Sequence, residues 1–523
     1  MEKPVLVHYE TFKDLDHGAT VKAMAERCKT TGGTRVLAEI MSSPIYCKKT
    51  LRERADDIAA FRNTSVDLDS LKNEEEGAVW CATEFDDLDE DTIELLEEPY
   101  FRNVIARGLN KLWPALWANN AYAVFAAPAM ALSAPVAYLV TPYLMIRFKL
   151  KIPLDFKTFI KLMYHSFKGA GAAMNIAFGN APSFAMQLAS VAMTVVVYCQ
   201  NVLASFRHSF SLVSVCKKVT TKMNCLARFL EKCDEVVDAY QHPLYSRWMV
   251  CDKPAANSGP TPSIQSEQIL PWKTGFAKAL CQFRSLDRKW IRARMRQLFC
   301  VDALHAISAS VTDFSMKPVS YLPSRVDALL IRNGRRLHEG DVPNSVAMIR
   351  GKNGIVLTGQ NASGKSTVLR MTGCVVLLAQ TVGWVPAAAC ALEPFKYITT
   401  MMGIRDDPEA GRSRFQNELL RAGECVEAAR RRPNDAGLLL MDEIFGGTDP
   451  AQGDACGGKI LTSLTETPGC MYILATHQKG LVEHSKTLDG VMRFKMLPDS
   501  YKLAPGVNDS YNASDLYEKS GIS

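Results

Sequence analysis

Gly359-Gln360-Asn361-Ala362-Ser363-Gly364-Lys365-Ser366-Thr367 decides how this 523-residue chain is read. The stretch fits G-x-x-x-x-G-K-[ST]. Before it, the apolar run Ile355-Val356-Leu357 reads as a strand; after it, Val368 to Leu378 places apolar residues at helical spacing. Strand, glycine loop and helix in that order build a phosphate cradle. Glycines let backbone N–H groups close on phosphate oxygens, and the helix N-terminus adds the positive end of its dipole. Lys365 is expected to set its charge against the β- and γ-phosphates, and Ser366 to offer its hydroxyl to Mg²⁺. Gly359 through Thr367 are thus the expected nucleotide-binding residues.

Downstream, Leu438-Leu439-Leu440-Met441 is an apolar run ending in Asp442-Glu443. A buried parallel strand that delivers an Asp to its C-terminal tip is where a Mg²⁺-binding carboxylate must sit. Asp442 is the expected metal ligand beside Ser366, and Glu443 is placed to orient or deprotonate an attacking water. A third run, Met471 to Ala475, ends at Thr476-His477, where a His reaches a γ-phosphate or its water. Between these runs, Gly411-Arg412-Ser413-Arg414-Phe415 precedes a helical pattern. A Ser hydroxyl and free N–H groups at a helix start suit an anion, although ordinary capping uses the same residues.

The length suggests about three domains, and 47% apolar content is enough for real cores. Net charge is only +6, which argues neither for nor against nucleic acid. The fifteen cysteines are dispersed with no C-x-x-C pair, which suits reduced thiols in a cytosol-facing protein. Met1 to His8 carries charge and no long apolar stretch, so no cleavable signal is expected.

Residues 1–83 read as helical, with Val21, Met24 and Cys28, then Val36, Leu37 and Ile40, at helical spacing. Residues 84–111 begin with a dense acidic stretch, from Glu84 to Glu98, and read as a linker or solvated face. No charged residue occurs from Leu112 to Ile146, nor from Gly169 to Phe206. Each stretch exceeds the roughly 20 residues that span a bilayer, so residues 112–206 are expected to form a two-helix membrane hairpin. Its most apolar windows are Ala121–Ile146 and Phe184–Phe206; Pro128, Pro135 and Pro142 interrupt the first. A buried helical pair and a surface-lying amphipathic pair are the other readings. Cations stand six against six between and outside the windows, which leaves orientation open. Residues 207–324 return to polar helical patterning and contain a basic run, Arg284, Arg288, Lys289, Arg292, Arg294 and Arg296, read either as a solvated face or as a dock for nucleic acid or anionic lipid. Residues 325–523 carry the strand–loop–helix motifs.

In order along the chain, these motifs resemble the MutS family of ATPases. The resemblance rests on Thr358 to Thr367, Gln380-Thr-Val-Gly-Trp-Val-Pro386, Gly411 to Phe415 with Glu418, Met441-Asp442-Glu443 with Gly446-Gly447-Thr448, Ala475-Thr476-His477, and Tyr501-Lys-Leu-Ala-Pro505-Gly506. Leu15 to Thr20, Thr30 to Leu37, Ser43-Pro44, Leu51 to Arg54, Val301 to Leu304 and Pro343-Asn344 resemble its helical core and the step before its phosphate loop. The chain departs from the family where a mismatch-reading domain, its Phe-x-Glu wedge, long levers and a clamp would stand. It also lacks the family's Arg-His-Pro step and its helical tail.

The fold implied is an α/β P-loop ATPase domain of the ABC/MutS type, preceded by an all-α core that the membrane hairpin interrupts. The function implied is Mg²⁺-dependent ATP hydrolysis in a homodimer or a heterodimer with another MutS-like chain. Lys365, Glu443 and His477 would be catalytic, Ser366 and Asp442 would hold Mg²⁺, and Ser413 would complete the partner's site. No small-molecule substrate besides ATP is expected. The expected location is a membrane, with lipid as a partner and the ATPase facing cytosol or nucleoplasm. A soluble nuclear or cytoplasmic DNA mismatch repair protein that binds duplex DNA, and a nucleotide-gated scaffold with little turnover, stand as alternatives.

Overall fold

A computed structural model describes residues 4–62, 67–83, 90–165, 184–237, 242–248, 275–323, 328–338, 340–349, 351–403, 414–446 and 449–507. The chain divides into two compact units. One takes Met1–Lys72, Lys232–Ala256 and Ala293–Ser523; the other takes Asn73–Glu231 and Asn257–Arg292.

The first unit is built on a seven-stranded sheet. Its spatial order is β1 (Leu6–Val7), β9 (Tyr397–Met401), β10 (Gly437–Asp442), β11 (Cys470–Ala475), β6 (Gly354–Thr358), β12 (Val491–Leu497) and β13 (Lys502–Pro505). All neighbours are parallel except the β12–β13 pair. β6, β9 and β11 are buried throughout, as continuous apolar runs covered on both faces require. A smaller mixed sheet runs β3 (Ser320–Tyr321), β8 (Ala389–Leu392), β4 (Ala328–Gly334), β5 (Asn344–Ile349).

Met1–Lys72 belongs to the same unit as the seven-stranded sheet. The helix after the phosphate loop, α14 (Lys365–Thr381), is buried from Met371 to its end. Gly373 in its middle leaves room for Leu15, whose Cδ2 would stand 2.4 Å from any added Cβ. At its C-terminus, Gln380 Nε2 donates to Ile45 O at 3.2 Å, and Arg54 Nη1 donates to Thr381 O at 2.9 Å. Arg54 lies in α4 (Lys48–Phe61), is 3% exposed, and stacks its guanidinium over Trp248. Such buried charge is tolerated because its donors are met by carbonyls.

The second unit is helical. α7 (Trp113–Ala121) and α8 (Ala127–Leu144) join through a π-helical turn at Tyr122–Ala126, and Pro135 and Pro142 sit inside α8. α10 (Phe184–Val237) is a single 54-residue helix whose last six residues belong to the first unit. Tyr198 Oη donates to Leu132 O at 2.9 Å and Ser209 Oγ to Val124 O at 3.0 Å, so α8 and α10 lie antiparallel here.

The expected pair of membrane spans is reduced to one. Among the described residues a single helical stretch, Trp113–Tyr138, is long and apolar enough to cross a bilayer. The second window is the opening part of α10, which continues into charged sequence because no Pro or Gly interrupts Phe184–Val237. Residues 166–183, the start of the second charge-free stretch, lie outside the described residues.

Candidate active site

Strand register assembles the site. Asp442 on β10 pairs with Ala475 on β11, and Ala475 pairs with Leu357 on β6. Three strand tips therefore end in one row. The glycine loop leaves β6 just beyond that row, Glu443 follows Asp442, and Thr476-His477 follow Ala475. Ligands of open parallel sheets bind at this carboxyl edge.

The loop reaches α14 through Gly364, whose φ of +97° suits a residue without a Cβ. Ala362 (+61°), Glu443 (+51°) and Phe445 (+57°) also take left-handed backbone conformations. Non-glycine residues held there cost on the order of 1–3 kcal/mol each and concentrate where geometry is used. The loop opens on a cavity of about 540 Å³ lined by Asn361 through Val368, Asp442 and Glu443.

Lys365 is 5% exposed, and its Nζ donates to Gly359 O and Gln360 O, both at 3.0 Å. Its Nζ also stands 3.6 Å from Glu443 Oε1, and His477 Nδ1 stands 3.3 Å from the same oxygen. Glu443 is thus flanked by a fixed cation and an imidazole, with its own N–H donating to Ala475 O at 2.9 Å.

Asp442 is the most telling member. Burial pushes its carboxyl above the usual carboxylate range, while a hydrogen bond with Ser366 and the charge of Lys365 oppose that shift. Its Oδ1 is buried without a hydrogen-bond partner. A buried carboxylate oxygen left unmet is costly unless a cation or donor arrives. Ser366 and Asp442 therefore fit Mg²⁺: two hard oxygen ligands, one orphaned, at the mouth of a phosphate loop. Ser363 Oγ is likewise buried and unpartnered.

The predicted residues Gly359 to Thr367, Asp442, Glu443 and His477 come together here. Ser413 and the segment around it, with Gly447-Thr448, lie outside the described residues.

The sequence reading did not assign the opposite wall. Gly340, Asp341, Val342, Met371 and Tyr501 also line the cavity. Asn344, 6% exposed, fixes this wall: its Nδ2 donates to Tyr501 O at 3.0 Å, and its Oδ1 accepts from Leu503 N at 2.9 Å. Arg336 holds Asp341 by two hydrogen bonds of 2.7 and 2.9 Å. Pro343-Asn344 and Tyr501-Lys-Leu were visible as motifs, but nothing in either one reveals that a single amide joins them.

The basic run forms no continuous cationic face. Arg288 is buried, donating to Thr83 O at 3.1 Å. Arg294 pairs with Asp234 at 2.8 Å and Arg296 with Glu39 at 2.5 Å.

Residues 355–511 match the family model described as MutS domain V. A DNA mismatch repair protein MutS of Pseudothermotoga lettingae is 38% identical over 169 residues, covering 31% of this chain and 20% of that protein. The MutS of Thermotoga maritima is 30% identical over 270 residues, covering 49% of this chain and 33% of that protein. A protein named DNA mismatch repair protein MutS 2 of Halobacterium salinarum is 33% identical over 220 residues, covering 41% and 23%. The chain thus spans between a fifth and a third of the length of these three relatives. Residues 355–511 therefore carry a MutS domain V, which includes the phosphate loop and the paired carboxylates of the sheet edge.

Proposed function

We propose that this chain hydrolyses ATP as a nucleotide-driven MutS-type clamp attached to a membrane. The observation that carries the hydrolytic reading is the convergence of Lys365, Ser366, Asp442 and Glu443 on one cavity. Lys365 neutralises phosphate charge, and the loop N–H groups hold the phosphate oxygens. Ser366 and Asp442 would hold Mg²⁺, which when bound would supply further charge neutralisation. Glu443 accepts the proton of the attacking water, and His477, 3.3 Å from the same carboxylate oxygen that Lys365 approaches, orients that carboxylate. Tyr501 and Met371 offer an apolar wall suited to a purine. Ser413 of a second copy, or of another MutS-like chain, completes each site and makes closure depend on ATP.

The membrane part rests on the exposure of the second unit's apolar helices. Only 6% of the most apolar window of Trp113–Tyr138 is buried, and Val136 and Tyr138 are 62% and 79% exposed. Apolar area of that extent needs a cover. Membrane lipid is the proposed partner, with the ATPase facing cytosol or nucleoplasm. Detergent-purified Glu443→Gln protein, saturated with ATP and Mg²⁺, should sediment as a dimer, and the native chain should stay in membranes through alkaline carbonate. Monomers only, or release into the supernatant, would remove the corresponding half of the reading.

A second reading follows from the relatives, which are named DNA mismatch repair proteins. It predicts salt-sensitive binding of duplex DNA.

A further inference from the structure

The segment between α8 and the described end of its successor combines exposed cations with exposed apolar side chains. A π-helical turn, Met145–Lys149, ends α8, and the chain reverses near Lys151, a non-glycine residue at φ +55°. It then enters a short helix, α9, over residues 156–165. The reversal is locked from inside: Tyr143 and Phe159 are buried with ring centroids 5.4 Å apart, Phe156 meets Tyr143 edge-on at 5.1 Å, and Asp155 Oδ2 accepts from Lys157 N at 3.2 Å. This is a built tip on the end of the apolar helices.

What the tip shows outward is mixed. Arg147, Lys149, Lys151, Lys157 and Lys161 are all exposed, against one acidic residue, Asp155. Between them Phe148, Leu150, Leu162 and Tyr164 are 70%, 64%, 58% and 63% exposed. Nucleic acid or an acidic protein would satisfy the cations and leave Phe148 and Leu150 in water. A neutral membrane would take the apolar groups and ignore the charge. An anionic bilayer surface satisfies both, since long basic side chains reach headgroups while their neighbours enter the acyl boundary. The adjoining stretch Trp113–Tyr138 is itself apolar and unburied.

We infer that residues 145–165 form an anionic-lipid site, in which the five cations engage headgroup charge and the interleaved apolar residues enter the bilayer. The inference rests on the membrane reading above and adds its lipid class and residues.

The test is flotation of the full chain, after detergent removal, with vesicles of phosphatidylcholine alone or with about a third phosphatidylserine. Four exposed lysines at about threefold or more each predict at least a tenfold preference for the anionic vesicles, shrinking at high salt. A Lys149→Gln, Lys151→Gln, Lys157→Gln, Lys161→Gln variant, which keeps Arg147, should retain no more than about a threefold preference, at the wild-type level for neutral vesicles. The matching four Lys→Arg changes should restore the preference, which a structural defect would not allow. Equal flotation of the wild type with both vesicles, or the full wild-type preference kept by the Gln variant, overturns the lipid site and leaves membrane attachment standing. If the wild type floats with neither, both readings fall. Capture by duplex DNA that the Gln variant loses, without any vesicle preference, also overturns the site.

Discussion

The two units break the same burial rule in opposite directions. In the first, polar groups lie inside: Lys365 is 5% exposed, and the Asp442 carboxylate keeps an unmet oxygen in the interior. In the second, apolar groups lie outside: Tyr138 is 79% and Phe210 73% exposed. Charged side chains are seldom fully buried, and large apolar surfaces are seldom left in water, unless something else completes them. An inward polar exception calls for a small charged ligand, whereas an outward apolar exception calls for an extended apolar environment. The contrast teaches which kind of occupant each unit needs.

Equal chemistry in the two units should give unequal results. Leu474, fully buried on β11, should lose about 2–5 kcal/mol of stability on Leu474→Ala. Val136→Ala in α8 should change stability by less than about 0.5 kcal/mol, as exposed sites do. Denaturant titration of the full chain in detergent measures both. Similar losses would mean that α8 is packed inside the protein rather than facing outward.

The inward exception can be tested at Asp442. Asp442→Asn removes a buried charge that has no full complement, so the nucleotide-free protein should gain on the order of 1 kcal/mol. The same variant should lose the rise in thermal midpoint that Mg²⁺ and ATP give the wild type. A nucleotide-free protein destabilised by several kcal/mol would instead make Asp442 a structural residue, satisfied by its surroundings.

Legibility followed from how local each cause is. The cradle was readable because β6, the glycine loop and α14 are consecutive, and because Leu438 to Asp442 runs apolar to its tip, as a doubly covered strand must. The far wall was not readable. Asn344 and Tyr501 meet across 157 positions through one hydrogen bond. Nor was β1, two residues long, whose Leu6 pairs with Tyr397 at the sheet edge and leaves no period to detect. The basic run could be read either as a solvated face or as a dock, because the partners of Arg294 and Arg296, Asp234 and Glu39, are remote in sequence. The second apolar window looked like a separate span because hydropathy changes at Arg207, while the helix itself, lacking a breaker, does not stop there.

The central claim is that Glu443, held beside Lys365 and His477, activates water for a nucleotide in this cavity. Phosphate release under single-turnover conditions, with ATP binding measured in parallel, tests it most directly in wild type and Glu443→Gln. The account predicts ATP binding within about twofold of wild type and release slower by about 10²–10⁴-fold, the usual weight of a positioned base. Equal release by the two proteins would contradict it.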